Sequence, residues 1–521
     1  MKKKKTKNKI AIIFFFGIIL LGFTFRFIKF SNIPVSLNRD ELALGYNAFA
    51  LASEGKDEWG QSWPITFKSF GDYKLPGYIY LLIPFVKLFG LTDFAIRLPS
   101  LIAGIINIWL IFLIAKKTFP KQPLTPFFAA LMLALMPWAI HYSRIGFEAQ
   151  VGLSFTLATI YLLISSQKSK KLSLLAPLTL MAAMLTYNSP LLLSPFILLS
   201  YIFLFYSNHK KHLLISFASL LLFVVAIFIA ITSLLSVSQA KTGIIIFTDP
   251  TLNYFQREAR LHLSDTSQLL ASVFANKYVF FSKVTIQNYL KTFSPIFLLT
   301  QGGQHSWHSI PNWAHFTYTQ YGLFFLGLII IISKYRHKLS LWLLFLLLIG
   351  PMPAAITVDA PHTTRSLLFL SLAALPIAVS LTWIYQQFCS KKYLSFILIL
   401  IVLAESTFFL KDYLFTYPQK HGASWKTGLK QAIFNINSYP TDLPVYITDY
   451  QSSPYIYVLF YQQILPSQFL PSVKYYPPDN AGLIHVKAFT RYHFVSDKNQ
   501  ALPQSLLIDT VESGQMVLTP F

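Results

Sequence analysis

The sequence has little of what a soluble or secreted globular protein needs. Only 12% of its residues are charged. Cys389 is the single cysteine, so an intrachain disulfide is excluded and cysteine usage indicates nothing about the redox compartment. Hydrophobic residues make up 54% of the chain, and the mean hydropathy is +0.52. Because apolar runs near bilayer length recur along the chain, the sequence predicts an all-α polytopic membrane protein.

Motifs for nucleotides and for zinc are also missing. The chain has no G-x-x-x-x-G-K-[ST] or G-x-G-x-x-G loop, no cysteine cluster and no H-E-x-x-H helix. His305 and His308, in QHSWHS, are two histidines that could ligate a metal, but such a pair is more often a solvated loop feature. We therefore predict no metal and no soluble cofactor.

The N-terminus, MKKKKTKNK, precedes an apolar run from Ile10 to Phe25. This pattern is also typical of a signal peptide, but no A-x-A cleavage site follows, and Arg26 and Lys29 lie where cleavage would fall. We interpret the run as an uncleaved first transmembrane helix. Its basic start predicts an N-terminus in the cytoplasm of a multi-pass cell-membrane protein.

About eleven transmembrane helices are predicted. They lie near residues 10–29, 99–116, 124–140, 150–166, 172–187, 190–206, 213–235, 319–333, 339–356, 366–387 and 393–410. Alternate connections carry lysine or arginine but no acidic residue, which assigns them to the cytoplasm; they are 116–122, 167–171, 208–211, 334–338 and 390–392. The net charge of +23 is therefore a signal of topology and of contact with anionic membrane lipids, and we expect no nucleic-acid partner.

The apolar segment from Gly77 to Gly90 is short for a span and contains Pro84 and Lys87. Counting it as a span would reverse every later loop, so we interpret it as an amphipathic helix in the outer interface. A further amphipathic helix is predicted in FANKYVFFSKVTIQNYL, before a glycine-rich turn. The predicted extracytoplasmic loops are 30–97, 141–148, 236–317 and 357–365.

The predicted domain boundary follows the last span. Residues 1–410 form the transmembrane module, and 411–521 form a small extracytoplasmic α/β domain. Within that domain, strand-like runs at 445–448 and 487–495 surround a predicted helix near 454–463.

The first outer loop carries the candidate chemistry. Asp40 and Glu41 follow the first span, and Lys74 precedes Leu-Pro about thirty residues later. A carboxylate can accept a proton from a hydroxyl, and an ammonium can hold a departing phosphate. The alternatives remain open: Asn38 and Glu41 fit a capping box, and Lys74 fits an interfacial lysine that reaches toward headgroups.

Later outer loops add further candidates. Arg144 and Glu148 are four residues apart, which fits an ion pair on one helix. Alternatively, Arg144 binds the phosphate and Glu148 assists the base or holds an acceptor. His362 and Arg365 lie at the outer end of a span, where arginine suits phosphate through its paired donors, although an interfacial anchor is the simpler interpretation. Glu405 is an acid late in the last span, with no partner that the sequence identifies.

The run NRDELALGYNAFALASEGKDEWGQSWPITFKSFGDYKLPGYIYLLIPFVKLFGLTDFAIRLPSLIAG resembles the first loop of the polyprenyl-phosphate-sugar-dependent glycosyltransferases. These belong to the GT-C superfamily, with protein O-mannosyltransferases and the aminoarabinose transferase of lipid A. The acidic pair, the K-x-P element and FAIRLPS occur in the family's order. The similarity continues through PWAIHYSRIGFE and, more loosely, through PHTTRS and the C-terminal domain.

The resemblance implies a role for each matching residue. Asp40 matches the catalytic aspartate, Lys74 matches the lysine that contacts the carrier phosphate, and Glu148 stands near the second-loop acid. The aminoarabinose enzymes have a metal-binding glutamate just before that lysine. The corresponding residue here is Tyr73, so that metal is not carried over.

The implied function is transfer of a sugar from a polyprenyl-monophosphate carrier to an acceptor hydroxyl at the extracytoplasmic face. We expect an inverting single displacement, with Asp40 as base and Lys74, Arg365 and Arg144 stabilising the phosphate. The sugar, and whether the acceptor is protein, lipid or glycan, stay open. The alternatives are a transporter or flippase of a lipid-linked substrate and a membrane anchor for the C-terminal domain.

Overall fold

The computed structural model describes residues 2–70, 72–166, 170–205, 220–225, 227–228, 231, 242–387, 393–479, 483–510 and 516–521. The chain is mostly helical and carries a small sheet near its C-terminus, as the sequence predicts. The predicted connections 208–211 and 390–392, most of the predicted span 213–235 and part of 167–171 lie outside the described residues.

The α-helices are numbered in chain order. They are α1 (Lys2–Phe27), α2 (Arg39–Glu54), α3 (Pro76–Phe89), α4 (Asp93–Thr118), α5 (Thr125–Leu135), α6 (Pro137–Tyr142), α7 (Glu148–Ser166), α8 (Lys170–Thr186), α9 (Asn188–Phe205), α10 (Pro250–Thr266), α11 (Gln268–Phe274), α12 (Lys277–Lys291), α13 (Tyr318–Lys334), α14 (Lys338–Ile349), α15 (Met352–Ala355), α16 (Leu367–Leu372), α17 (Ala374–Gln387), α18 (Tyr393–Lys411), α19 (Tyr417–His421), α20 (Thr427–Asn435), α21 (Tyr455–Tyr461) and α22 (Pro466–Phe469).

Among the described residues, 6 helical segments are long and apolar enough to cross a membrane, or 7 if the bent pair α11 and α12 is one span. They are Lys9–Phe27, Asp93–Thr118, Glu148–Ser166, Lys338–Ala355, Thr364–Gln387 and Tyr393–His421. Other predicted spans are shorter apolar helices, among them α5, α9 and α13. The multi-pass architecture is therefore supported, and the number eleven stays a prediction.

The helices of the bundle approach one another at small residues. Gly327 of α13 lies against α17, where a Cβ would be only 1.9 Å from the carbonyl oxygen of Pro376. A larger residue would force the two helices apart, and small residues at helix contacts are typical of membrane bundles. Between α4 and α7, the hydroxyl of Ser154 donates to Oδ1 of Asn107 at 2.7 Å, which satisfies polar groups that lipid cannot.

Helix α2 begins at a capping box. The side chain of Asn38 accepts from the backbone N–H groups of Asp40 and Glu41 at 2.9 and 3.0 Å, and Oε2 of Glu41 accepts from the N–H of Asn38 at 3.0 Å. The helix ends before Gly55, whose φ of +68° is readily adopted by glycine. The capping box predicted as one alternative is therefore present, and it orients Asp40 in the first turn.

A short hairpin follows α2 in the first loop. Strands β1 (Phe67–Ser69) and β2 (Asp72–Lys74) pair antiparallel, with Lys74 opposite the buried Phe67. Leu75 then leads into Pro76 at the start of α3, and a residue before proline favours an extended backbone. Lys74 is therefore held at the last position of a strand rather than on a mobile loop.

The segment predicted as an interfacial helix forms α3. Tyr78, Ile79 and Leu82 are buried, while Leu88 is 75% exposed, so the helix has one covered and one open side. The hydroxyl of Tyr78 donates to the carbonyl oxygen of Ile96 at 2.8 Å and so attaches α3 to α4. Its position in the interface stays a prediction.

The C-terminal region contains a mixed sheet. Its strands are β3 (Val445–Ile447), β4 (Lys474–Tyr475), β5 (Val486–Phe489), β6 (Tyr492–Phe494), β7 (Leu506–Thr510) and β8 (Met516–Pro520), in the order β4-β5-β6-β3-β7-β8. Strand β3 is parallel to β6 and β7, and the other pairs are antiparallel. The strand-like run predicted over 487–495 contains two strands, β5 and β6, because the chain turns at Thr490, whose φ is +43°.

This C-terminal region shares a hydrophobic core with the first loop. Leu42 and Phe67 belong to the same buried cluster as Ile456 and Phe494. The hydroxyl of Tyr46 in α2 donates to the carbonyl oxygen of Ile464 at 2.9 Å. The tail therefore packs directly on the helix that carries Asp40.

Candidate active site

A cavity of about 600 Å³ lies where the first loop, the start of α7, the junction of α8 and α9, and two later loops meet. Five of the seven residues predicted for the catalytic and phosphate sites line it: Asp40, Lys74, Glu148, His362 and Arg365. His305 and His308, considered above as metal ligands, line it as well. Together these residues come from five separate segments of the chain. The tertiary structure thus brings most of the predicted site residues to one place.

Asp40 and Lys74 form an ion pair in this cavity. Nζ of Lys74 donates to Oδ1 of Asp40 at 2.7 Å. The side chain of Asp40 is 35% exposed and that of Lys74 is 12% exposed, so the carboxylate remains the more accessible of the two. The second carboxylate oxygen, Oδ2, is not the one bonded to Lys74 and is suited to accept a substrate hydrogen.

The environment keeps Asp40 ionised. Burial by itself raises the pKa of a carboxyl, but the positive charges of Lys74 and Arg39 outweigh it and hold the pKa of Asp40 below its usual value. Asp40 is therefore a carboxylate near neutral pH, the form that accepts a proton.

Glu41 does not reach the cavity. Its side chain is fully buried, and its Oε1 accepts from Nε of Arg97 at 3.1 Å and from the backbone N–H of Gly146 at 2.7 Å. Arg97 in turn donates to the carbonyl oxygens of Pro34 and Ser36. Placing Glu41 among the catalytic residues is corrected: its carboxylate joins the loop after α1 to the loop between α6 and α7, because it occupies the N3 position of α2 and points inward.

Arg144 is also outside the cavity. It is fully buried and donates to three backbone carbonyl oxygens, those of Ile33 at 3.2 Å, Arg26 at 2.7 Å and Lys29 at 2.9 Å. It precedes α7, which begins at Glu148, so the two residues do not form a pair on one helix. Assigning Arg144 to the carrier phosphate is therefore corrected, because its donors hold the chain leaving the first helix.

The opposite wall of the cavity carries a charged cluster. Nη1 of Arg365 donates to Oδ1 of Asp359 and to Oγ1 of Thr357 at 2.9 Å. Oδ2 of Asp359 lies 3.2 Å from Nε2 of His305 and 3.6 Å from Nε2 of His362. One ligand atom from each of His305, Asp359 and His362 lies within 4.8 Å of the others, so these three are the residues that could hold a metal.

The neighbouring histidine is neutral. Burial and the nearby His305 lower the pKa of His308 to about 3, although Asp40 partly opposes them. The rings of His308 and His362 have centroids 4.9 Å apart. His308 therefore offers hydrogen bonding rather than charge to a ligand in the cavity.

Sequence reasoning missed two cavity residues, Arg39 and Asp359. Arg39 places its guanidinium 5.6 Å from the ring centre of Phe70, beside Asp40. Asp359 stands three residues before His362 in a loop already singled out, and that spacing was the available signal. The missing partner of Glu405 is Thr319, whose N–H and hydroxyl both donate to its carboxylate, the latter at 3.1 Å.

Comparison with known proteins supports the predicted resemblance. Residues 74–235 match the family model described as dolichyl-phosphate-mannose-protein mannosyltransferase. No significant match was found among curated protein sequences.

Two solved structures share the fold. The oligosaccharyltransferase AglB of Archaeoglobus fulgidus, in complex with an inhibitory peptide and a dolichol-phosphate, has a TM-score of 0.52 and 13% identity over 87% of this chain. ArnT of Cupriavidus metallidurans, bound to undecaprenyl phosphate, has a TM-score of 0.53 and 10% identity over 88% of this chain. The chain spans 64% of the length of AglB and 85% of that of ArnT.

The architecture is that of a multi-pass membrane protein that shares the fold of AglB and ArnT. The family model that matches residues 74–235 is that of a mannosyltransferase, and AglB is an oligosaccharyltransferase.

Proposed function

We propose that this chain transfers a sugar from a polyprenyl-monophosphate carrier to an acceptor hydroxyl at the extracytoplasmic face of the membrane. The observation that carries the proposal is the ion pair of Asp40 and Lys74 at 2.7 Å in the wall of a large cavity. A proton acceptor and a phosphate ligand are thus next to each other, as a displacement at a sugar carbon attached to phosphate requires.

Asp40 acts as the base. Its lowered pKa keeps it ionised, so it accepts the proton of the acceptor hydroxyl as that oxygen attacks the anomeric carbon. The bond from that carbon to the carrier phosphate oxygen breaks in the same step, through an oxocarbenium-like transition state, and the configuration inverts. Phosphate is a good leaving group, so no general acid is needed.

Lys74 and Arg365 stabilise the negative charge that grows on the phosphate. The carrier phosphate competes with Asp40 for the Lys74 ammonium. Within the described residues, both hydrogen bonds of Arg365 use Nη1, which leaves the rest of the guanidinium for a second phosphate oxygen. His362 lies beside them in the cavity wall, and Glu148 lines it from the start of α7. Glu148 assists by holding the acceptor.

The proposed orientation follows the distribution of charge. The basic N-terminus and the basic connections face the cytoplasm, and the cavity and residues 411–521 face the other side. The undecaprenyl phosphate of ArnT and the dolichol-phosphate of AglB support a prenyl carrier as donor. The class of acceptor stays open between protein, lipid and glycan.

The test is transfer by the purified, reconstituted protein, with polyprenyl-phosphate-mannose as donor and a cell-envelope extract as acceptor. Asp40→Asn is expected to lower the rate about 10²–10⁴-fold, and Lys74→Ala about 10²–10³-fold. The matched control is Asp93→Asn, since Asp93 pairs with Lys430 at 2.6 Å away from the cavity. Unchanged transfer in both cavity variants would overturn the site, and movement of label across vesicles without release of carrier phosphate would favour a flippase.

A further inference from the structure

Two outer loops bring three metal-ligating side chains together. His305 belongs to the loop before α13, whereas Asp359 and His362 belong to the loop before α16. One nitrogen from each imidazole and one carboxylate oxygen lie within 4.8 Å of one another. All three residues line the cavity, so a ligand held by them is reachable from the substrate side.

The carboxylate is held in an orientation that suits a ligand. Arg365 donates to Oδ1 of Asp359, while Oδ2 is the oxygen that faces both His305 and His362. A hydrogen bond to one oxygen of a carboxylate fixes the direction of the second oxygen. Groups that do not touch the metal orient metal ligands in this way.

The two loops are also fixed against each other. Oγ1 of Thr363 lies 3.1 Å from Oγ of Ser309 and 3.2 Å from Nε2 of His315. Gly303 allows their close approach, because a Cβ there would lie 3.0 Å from Oγ1 of Thr363. Because residues near His305 and His362 in sequence pack against one another, the distances between the three ligands are fixed.

A simpler interpretation is that Asp359 only neutralises Arg365 and accepts from His305. That interpretation leaves His362 unexplained. Only 5% of the His362 side chain is exposed, and its Nε2 lies 3.6 Å from Oδ2 of Asp359. Its Nδ1 has no hydrogen-bond partner within the part of the chain that the structure describes. An imidazole buried at a cavity wall with so little hydrogen bonding indicates a ligand that is not part of the chain.

We propose that His305, Asp359 and His362 bind a first-row divalent cation, Zn²⁺ in the first instance. Two imidazole nitrogens and one carboxylate oxygen form a ligand set that suits such ions and leaves coordination positions open. Those positions face the cavity and take oxygen ligands from it. If the proposed transfer is correct, on which this last role rests, the oxygens are those of the carrier phosphate.

The test uses the full-length protein in detergent, stripped with a chelator and titrated with Co²⁺, whose visible absorption reports coordination. The wild type is expected to bind one Co²⁺ per chain. His305→Ala and Asp359→Asn are each expected to weaken binding about tenfold or more. The side chain of His305 is 50% exposed, so its removal leaves the fold intact, which the melting temperature checks.

The matched control is His485→Ala. His485 pairs with Asp479 at 3.1 Å in the C-terminal region, so this variant removes a histidine of a similar pair elsewhere and is expected to bind Co²⁺ as the wild type does. No binding by the wild type, or equal binding by the wild type, His305→Ala and Asp359→Asn, would overturn the metal site.

The role of the cation is tested separately with inorganic phosphate. A shift of the Co²⁺ absorption when phosphate is added supports phosphate as a ligand, and an unchanged spectrum contradicts that role. Asp40→Asn is expected to bind Co²⁺ normally, so loss of transfer in that variant and loss of metal in His305→Ala are distinguishable results.

Discussion

Nζ of Lys74 lies 2.7 Å from Oδ1 of Asp40, although 34 positions of sequence separate the two residues. Asp40 is in the first turn of α2 and Lys74 is the last residue of β2, so both backbones are held by regular structure. The ammonium of Lys74 helps to keep the Asp40 carboxylate ionised, and both groups lie in the wall of the cavity. The consequences of this ion pair can be measured.

The first prediction concerns pH. Lys74 lowers the pKa of Asp40, and transfer requires the ionised carboxylate, so removing the ammonium raises that pKa. In Lys74→Ala we expect the acid limb of the residual pH–rate profile to move to higher pH. Lys68→Ala is the control, because Lys68 on the paired strand lies 4.2 Å from the ring centre of Trp59. An unmoved acid limb in Lys74→Ala would argue against Asp40 as the base.

The second prediction separates the adjacent acids. Glu41→Ala leaves Arg97 buried without its charged partner, which costs about 3–5 kcal/mol of unfolding free energy. Asp40→Asn is expected to lower the transfer rate about 10²–10⁴-fold with little change in melting temperature, since Asp40 is partly exposed. Thermal unfolding in detergent and donor turnover, measured for both variants, check this. A stable but inactive Glu41→Ala would contradict the structural role given to Glu41.

The third prediction separates two arginines. Lysine cannot make the three divergent hydrogen bonds of Arg144, so Arg144→Lys is expected to lose about 3 kcal/mol of stability. Arg365→Lys retains charge but loses paired donors, and we expect the KM for the donor to rise about tenfold. The opposite result, a raised KM in Arg144→Lys with stability unchanged, would return Arg144 to the phosphate site.

The fourth prediction concerns stability and Glu58. Glu58 is buried between the first loop and the C-terminal region, where it accepts from the hydroxyl of Tyr455 and from Nδ2 of Asn47 at 3.3 Å. Burial raises its pKa from 4.5 to about 7, despite these hydrogen bonds. The folded state therefore holds a proton that the unfolded state releases, so stability is greatest below pH 4.5 for this group and is lost as pH rises toward 7.

The free energy of unfolding that Glu58 contributes falls by about 3 kcal/mol as the pH rises from 4.5 to about 7. Glu58→Gln removes the titrating group, so its melting temperature is expected to fall less between pH 5 and pH 7.5 than that of the wild type. Glu54→Gln is the control, because Glu54 is at the exposed end of α2. Equal pH dependence in the wild type and Glu58→Gln would show that Glu58 does not couple pH to stability.

Much of the local structure was accessible from the sequence. Asn38 followed by Glu41 predicted the start of α2, and the apolar runs predicted the helical, multi-pass class. These features depend on residues close in sequence. The sequence did not show that the run over 487–495 forms two strands, β5 and β6. The turn between them contains no glycine or proline, and it depends on pairing with other strands.

The sequence by itself determined that this is a helical membrane protein and that its candidate chemistry lies in the loops between the spans, because hydropathy and capping are local properties. Only the tertiary structure decided which charged residues meet. It turned Glu41 toward Arg97, gave Arg144 to backbone carbonyls and brought Asp359 to His305, contacts across 56, 111 and 54 positions. A side chain acquires such a partner only when the intervening elements pack, so a local sequence motif does not predict the partner.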